Sequence, residues 1–270
     1  MEIFIDTAKI EEIEQSIDYG IVDGVTTNPS LIKEAILGLQ KKTDFDSYIK
    51  KILATAKGKP VSLEIIGTSY REMLEQAKRI YKKYNPVANN VVIKIPINPS
   101  FEIDSETEFH GLRVIRELSK IKIPSNCTLI MTPEQALVAA KAGAKYISPF
   151  VGRIDDFIRT NNNIEFQKSD YFPSYGWKNG ERMLDDNGII SGIELLRECI
   201  KMMQKYNFKS KVIAASIRNA RQFREVALVG VAIATIPYYV LKELIRHYKT
   251  REGVKKFTQD IVAEYSEMFK

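Results

Sequence analysis

The sequence predicts a (β/α)8 barrel, the TIM-barrel class, and three observations carry that expectation. Apolar runs of strand length alternate with runs whose apolar residues recur at helical spacing. Eight such pairs can be counted along the chain. The strand-like runs are apolar at nearly every position, as they are when both faces of a parallel sheet are covered. A chain of 270 residues fits one barrel of this kind, which runs to about 250 residues. Residues 1–270 are therefore expected to form a single domain.

The elements follow in order. EIFIDT (2–7) is the first predicted strand, with IEEIEQSI (10–17) as its amphipathic helix. IVDGVT (21–26) leads to SLIKEAIL (30–37) and FDSYIKKILATAK (45–57). VSLEII (61–66) precedes SYREMLEQAKRIYKKY (69–84), and VVIKIP (91–96) precedes GLRVIRELSK (111–120). CTLIM (127–131) is followed by PEQALVAAKAG (133–143), where Pro133 suits a helix start and Gly143 a helix end. YISPF (146–150) is separated from its helix, GIELLRECIKMMQKY (192–206), by a long inserted loop over 155–190. KVIAAS (211–216) and VAIATI (231–236) complete the strands, with helices over 218–230 and 237–248. A last, extra helix is predicted over 253–268.

Composition narrows the function classes. No window reaches the roughly 18 consecutive apolar residues of a membrane span, and the early acids in MEIFIDTAKIEEIEQ predict no secretory signal. The 2 cysteines, Cys127 and Cys199, make neither a disulfide framework nor a metal spacing, so a reducing cytoplasm is expected. The net charge of +6 is spread over predicted helix faces without a block of like charge, which argues against nucleic acid as a partner.

Polar residues gather at the carboxyl ends of the strands, where barrels of this class carry their chemistry. They are Asp6, Thr26-Thr27-Asn28, Glu64, Lys94, Asn126 with Thr128, Ser148, Ser216 and Thr235. Lys94 is the most informative. It alternates with Val92 and Pro96, so a regular strand sends all three to one face. If that face is the barrel interior, desolvation favours the neutral, nucleophilic amine, which can form a Schiff base with a carbonyl carbon. A lysine snorkelling from a strand end fits the same spacing. Asp6 suits a general base or a turn. Glu64 is costly inside a strand unless it is functional or paired. Asn28-Pro29 marks a turn and helix start. Asn126 and Thr128 could satisfy backbone groups. Arg153 and Arg218 follow neighbouring strand ends and could clamp a phosphate or lie on the surface.

Taken together, FIDTA (4–8), DGVTTNPSLI (23–32), VSLEI (61–65), NNVVIKIP (89–96), NCTLI (126–130), QALVAAKAGAKYISPFVGRIDD (135–156) and KVIAASIRNARQ (211–222) resemble the transaldolase family. That family includes small bacterial transaldolases and fructose-6-phosphate aldolases. The resemblance runs in family order from the N-terminus to the seventh strand and is least distinctive in the C-terminal fifth. It implies a Schiff-base enzyme of carbohydrate metabolism, of the pentose-phosphate type, using no metal or organic cofactor. Lys94 falls on the imine-forming lysine and Asp6 on the acid that exchanges a proton with the sugar hydroxyl. Glu64 and Thr128 fall on the pair that holds a catalytic water. Asn28, Asn126 and Ser148 match residues that hold the dihydroxyacetone hydroxyls, and Thr26 is taken with them on the substrate side. Arg153 and Arg218 match the phosphate clamp, with Ser216 near them. The aldolase branch has glutamine at the position of Glu64 and tyrosine at that of Phe150; here an acid and a phenylalanine follow the transaldolase pattern.

Two segments depart from that pattern: 97–111, and the much longer excursion after the sixth strand, which contains Tyr171, Phe172, Tyr175 and Trp177. The excursion could cover the phosphate end, reshape acceptor choice, or be an aromatic-anchored surface feature. The expected activity is transfer of dihydroxyacetone between sugar phosphates. The alternatives are aldol cleavage releasing dihydroxyacetone, transfer on a modified sugar, and an idle barrel that binds a phosphosugar. A homo-oligomer is expected, with the final helix (Val254, Phe257, Ile261, Val262, Tyr265) capping its own barrel or docking on a neighbour.

Overall fold

A computed structural model describes residues 1–39 and 44–269. Eight strands close into a barrel in sequence order, each parallel to its neighbours. They are β1 (Glu2–Asp6), β2 (Gly24–Thr26), β3 (Val61–Glu64), β4 (Val91–Pro96), β5 (Ser125–Ile130), β6 (Tyr146–Pro149), β7 (Lys211–Ala214) and β8 (Ile233–Ile236). The helices are α1 (Ile10–Asp18), α2 (Pro29–Leu37), α3 (Phe45–Thr55), α4 (Tyr70–Tyr84), α5 (His110–Lys120), α6 (Pro133–Ala142), α7 (Val151–Asn161), α8 (Gly192–Lys205), α9 (Ala220–Val229), α10 (Tyr238–Glu243), α11 (Tyr248–Gln259) and α12 (Ala263–Ser266).

Helix boundaries sit where the local chemistry sets them. The Asn28, Ser69, Ser191 and Asn219 side chains each accept from a backbone N–H one turn on. Thr132 and Gln135 form a reciprocal capping box at α6, and Gly143 ends that helix in the left-handed conformation. Among the described residues, no helix is long and apolar enough to cross a membrane.

The pleat divides the strand residues. Ile5, Val25, Leu63, Ile93, Ile95, Ile147, Val212 and Ala234 join the helices in one large core. Phe4, Val92, Tyr146, Ile213 and Ile233 form a second cluster inside the barrel. The Phe4 ring lies over Gly24, where a Cβ would stand 2.6 Å from it. The amino-terminal half of the interior is therefore plugged by apolar side chains, and the polar positions two residues on, Asp6 and Lys94 among them, face the open carboxyl end.

Three boundaries differ from the sequence expectation. The excursion begins at Asn162, because α7 runs through Asn161 with Ile154, Asp155 and Ile158 on its buried face. The predicted helix over 237–248 stops at Glu243, and His247 turns extended to cap α11. The extra helix is split into α11 and α12; the β-branched pair Ile261-Val262 at the break is a poor helix former with no packing to offset it.

Candidate active site

The carboxyl end of the barrel opens into a cavity of about 1110 Å³. Its wall includes Asp6, Thr26, Asn28, Glu64, Lys94, Thr128, Ser148, Phe150, Arg153, Ser216 and Arg218. Asn126 alone of the expected site residues does not reach it.

Lys94 occupies the interior face of β4, buried beside the apolar plug. The register aligns it with Glu64 on β3 and Asn126 on β5, and parallel neighbours in register point the same way. Its Nζ lies 3.1 Å from Glu64 Oε2 and donates to the Thr27 carbonyl oxygen, also at 3.1 Å. Burial is thus accompanied by a close carboxylate, which spacing alone did not reveal. Both acceptors suit a protonated amine. Attack on a carbonyl therefore requires one proton to leave, and Glu64 is the adjacent group that can receive it.

Asp6 ends β1, aligned with Thr26. Thr26 Oγ1 lies 2.6 Å from Asp6 Oδ1 and 2.6 Å from Thr235 Oγ1, so the hydroxyls form a short chain across β8, β2 and β1. Burial pushes the Asp6 carboxyl above its ordinary value, and outweighs the opposing pull of Lys94, the Thr26 hydroxyl and Arg218. A carboxyl so placed exchanges protons nearer to neutrality than an exposed one.

The polar floor is braced from below. Ser148 Oγ donates to Asn126 Oδ1 at 2.7 Å, and Asn126 Nδ2 donates to Ser62 Oγ at 3.2 Å. Asn126 is wholly buried, and its amide holds Ser148 in place under the cavity. Asn28 spends its Oδ1 on the Leu31 N–H at 3.0 Å. A register shift in β5 between Cys127 and Ile130 accompanies a left-handed Leu129 (φ 60°). That irregularity leaves Thr128 Oγ1 buried without a protein partner. A buried hydroxyl in this state is suited to a bound water or substrate atom. Leu129 and Ser216 (φ 63°) both line the cavity, so two non-glycine residues in a disfavoured conformation mark the site.

Arginine dominates the far side. Ser216 does not close β7. Ala215 pairs once with Phe150, and the chain then turns through Ser216's positive φ to deliver Arg218. Arg218 Nη2 lies 3.0 Å from Asp156 Oδ2, and its buried Nε has no partner. Arg153 is exposed, its guanidinium 4.9 Å from the centre of the Phe150 ring. Gly152 makes room for Arg218: a Cβ there would stand 2.6 Å from Arg218 Nε. Behind them, Asp155 accepts from Gly192 N at 2.7 Å and Gln222 Nε2 at 2.8 Å, and Gln222 Oε1 accepts from Arg218 N at 2.8 Å. Burial raises the Asp155 carboxyl to about 7.

Several cavity residues carried no sequence signal. Gln167, Lys168 and Ser169 of the excursion line the mouth, as do Tyr239 and Lys242. Tyr239 OH donates to the Arg218 carbonyl at 3.1 Å. The Thr27 carbonyl, a backbone group, is invisible to a search by residue type. The segment 97–109 does not line the cavity; Phe101 (94%) and Ile103 (90%) are exposed.

The comparisons with known proteins follow the same chemistry. The family model described as Transaldolase/Fructose-6-phosphate aldolase matches residues 3–269. A protein of Thermoplasma acidophilum named "Probable transaldolase" is 39% identical over 261 residues, covering 96% of this chain and 95% of that protein. Proteins with the same name from Thermoplasma volcanium (38% over 260 residues; 96% and 95% covered) and Chlorobaculum parvum (37% over 262 residues; 96% and 97% covered) are similar to it as well.

Proposed function

The chain belongs to the transaldolase/fructose-6-phosphate aldolase family, and we propose that it is a Schiff-base transaldolase moving a dihydroxyacetone unit from a ketose phosphate to an aldose phosphate. The observation that carries the reading is the contact of Lys94 Nζ with Glu64 on the wall of a cavity that Asp6 also lines. Lys94 passes a proton to Glu64 and attacks the ketose carbonyl carbon. Glu64 and the Thr128 hydroxyl handle the water that leaves as the carbinolamine becomes an imine. Asp6 takes the proton of the sugar hydroxyl as the adjacent carbon–carbon bond breaks. The electron pair of that bond passes into the imine, leaving an enamine on Lys94 and releasing an aldehyde. A second aldehyde accepts the enamine carbon, Asp6 returns the proton, and water frees the new ketose. Ser148, positioned by Asn126, together with Asn28 and Thr26, holds the three-carbon unit. Arg153, Arg218 and Ser216 hold the phosphate end beside Phe150.

Transfer is favoured over cleavage to free dihydroxyacetone because Glu64 and Phe150 follow the transaldolase pattern rather than the glutamine and tyrosine of the aldolase branch; a carboxylate can take a proton from water where an amide cannot, so the two handle water differently. Borohydride reduction in the presence of fructose 6-phosphate is expected to add mass at Lys94. Bound sugar without trapped mass would leave a binding module. Consumption of fructose 6-phosphate only with an acceptor aldehyde supports the transferase; release of dihydroxyacetone without an acceptor supports the aldolase.

The same reading assigns the protein to the cytoplasm, without nucleic-acid partners. Burial drives the Cys127 thiol well above its usual value and Cys199 to about 12, so both are inert in a reducing compartment. We further propose that the chain assembles with copies of itself through its C-terminal segment, on which no described residue is buried.

A further inference from the structure

The excursion after α7 is pinned at several points, and two of them flank Lys168 at the phosphate end of the cavity. Arg159, 2% exposed at the end of α7, is its anchor. The guanidinium lies 4.8 Å from the Phe166 ring centre and 5.0 Å from that of Phe172, and Nη2 donates to the Asp170 carbonyl at 3.0 Å. On the opposite side, Asn219 Nδ2 donates to the Ser169 carbonyl at 3.1 Å. Asn219 directly follows Arg218 and caps α9, so the same turn that delivers Arg218 also holds residue 169. Asp170 Oδ2 closes the loop by accepting from Gln167 N at 2.8 Å. Lys168 is thus fixed between two anchored residues, on the cavity wall with Arg153 and Arg218.

Its charge is uncommitted. Lys168 forms no salt bridge among the described residues. Arg218, by contrast, is shared with Asp156. A sugar phosphate brings about two negative charges, and of the two arginines Arg218 is already held by Asp156, which leaves Arg153 without a carboxylate partner among the described residues. We propose that Lys168 is the third cation of the phosphate site and a specificity-determining residue, through which the excursion makes the enzyme discriminate phosphorylated from unphosphorylated sugars. The proposal rests on the transaldolase reading for its substrate and on Lys168's position for its chemistry.

Two measurements keep the two readings apart. The first is turnover at saturating fructose 6-phosphate with glyceraldehyde 3-phosphate or glyceraldehyde as acceptor. Lys168→Gln is expected to raise KM for the phosphorylated acceptor about tenfold with little change in kcat or in KM for glyceraldehyde. Lys168→Arg is expected to restore it to within about twofold. The second needs no turnover: the Kd of inorganic phosphate, from calorimetric titration, is expected to rise about tenfold in Lys168→Gln and to stay near the parent value in Lys168→Arg. Equal effects on both acceptors, or an unchanged phosphate Kd, would overturn the proposal. Absent turnover in the parent protein would sink the function, and the phosphate titration would then decide the Lys168 site by itself.

Discussion

In the proposed mechanism Lys94 and Asp6 do separable work, and the separation is measurable. Removing the amine removes the bond on which every later step depends. Lys94→Met is therefore expected to lose at least about 1000-fold in turnover and to give no reduced adduct, since no other lysine lining the cavity is buried. Lys94→Arg keeps the charge and is expected to fail equally, because guanidinium is not deprotonated in proteins. Asp6 acts one step later. Asp6→Asn should lower turnover by about 100- to 10000-fold while borohydride still traps the donor sugar on Lys94. Loss of trapping in Asp6→Asn would show that Asp6 serves imine formation instead. The pH profile follows from direction alone. Asp6 must be ionised to take a proton, and burial has raised its pKa. Activity in the parent should then fall on the acid side at a pH above the ordinary value of 3.8. An acid limb at or below that value would remove Asp6 from the role.

The turn from β6 into α7 and the entry of α8 meet at Asp155, which links the excursion to the phosphate end. Its carboxylate satisfies the first N–H of α8 and the Gln222 amide, and Gln222 in turn holds the Arg218 backbone. Asp155 binds its proton more tightly folded than unfolded, with a folded pKa of about 7 against 3.8. The folded state therefore carries more protons between those values, and stability from this group falls as pH rises from about 4 to about 7. Three pH units correspond to about 4 kcal/mol, so the slope is visible in thermal unfolding. Asp155→Asn removes that slope. It also sets an amide against the Gln222 amide, leaving a buried donor unpaired at a cost of about 1–3 kcal/mol above pH 7, where the parent carboxylate accepts from both groups. Equal slopes in parent and variant would exclude Asp155 as the titrating group. The adjacent Gly152→Ala places a methyl group against the Ser216 carbonyl and Arg218 Nε. It should raise KM for phosphorylated substrates more than it lowers kcat, and an unchanged KM would mean that Arg218 tolerates displacement.

The barrel was legible in the sequence because eight apolar runs with eight helical partners have few other ways to bury both faces of a sheet. Period-two alternation made the inward-facing strand residues legible, while the twelve expected site residues were chosen through the family resemblance, and eleven of them reach the cavity. What stayed hidden depended on contacts between distant segments. Asp156 and Arg218 are 62 positions apart. Lys168 reads as a surface lysine until Arg159 and Asn219 are seen to pin its neighbours. The C-terminal segment was ambiguous because an amphipathic pattern does not say which surface it covers. The structure narrows that choice: Val254, Phe257, Ile261, Val262 and Tyr265 are all exposed on the isolated chain. Apolar residues left bare along this segment are costly in water, and a second copy of the chain is the occupant we propose. Deleting residues 247–270 should then leave a folded barrel, with the melting temperature of the isolated protomer shifted by no more than a few degrees. The mass by light scattering should drop from a multiple of the chain to one chain. A full-length protein that is monomeric refutes the assembly. A truncated chain that unfolds as a monomer would show that the segment folds back on its own barrel instead.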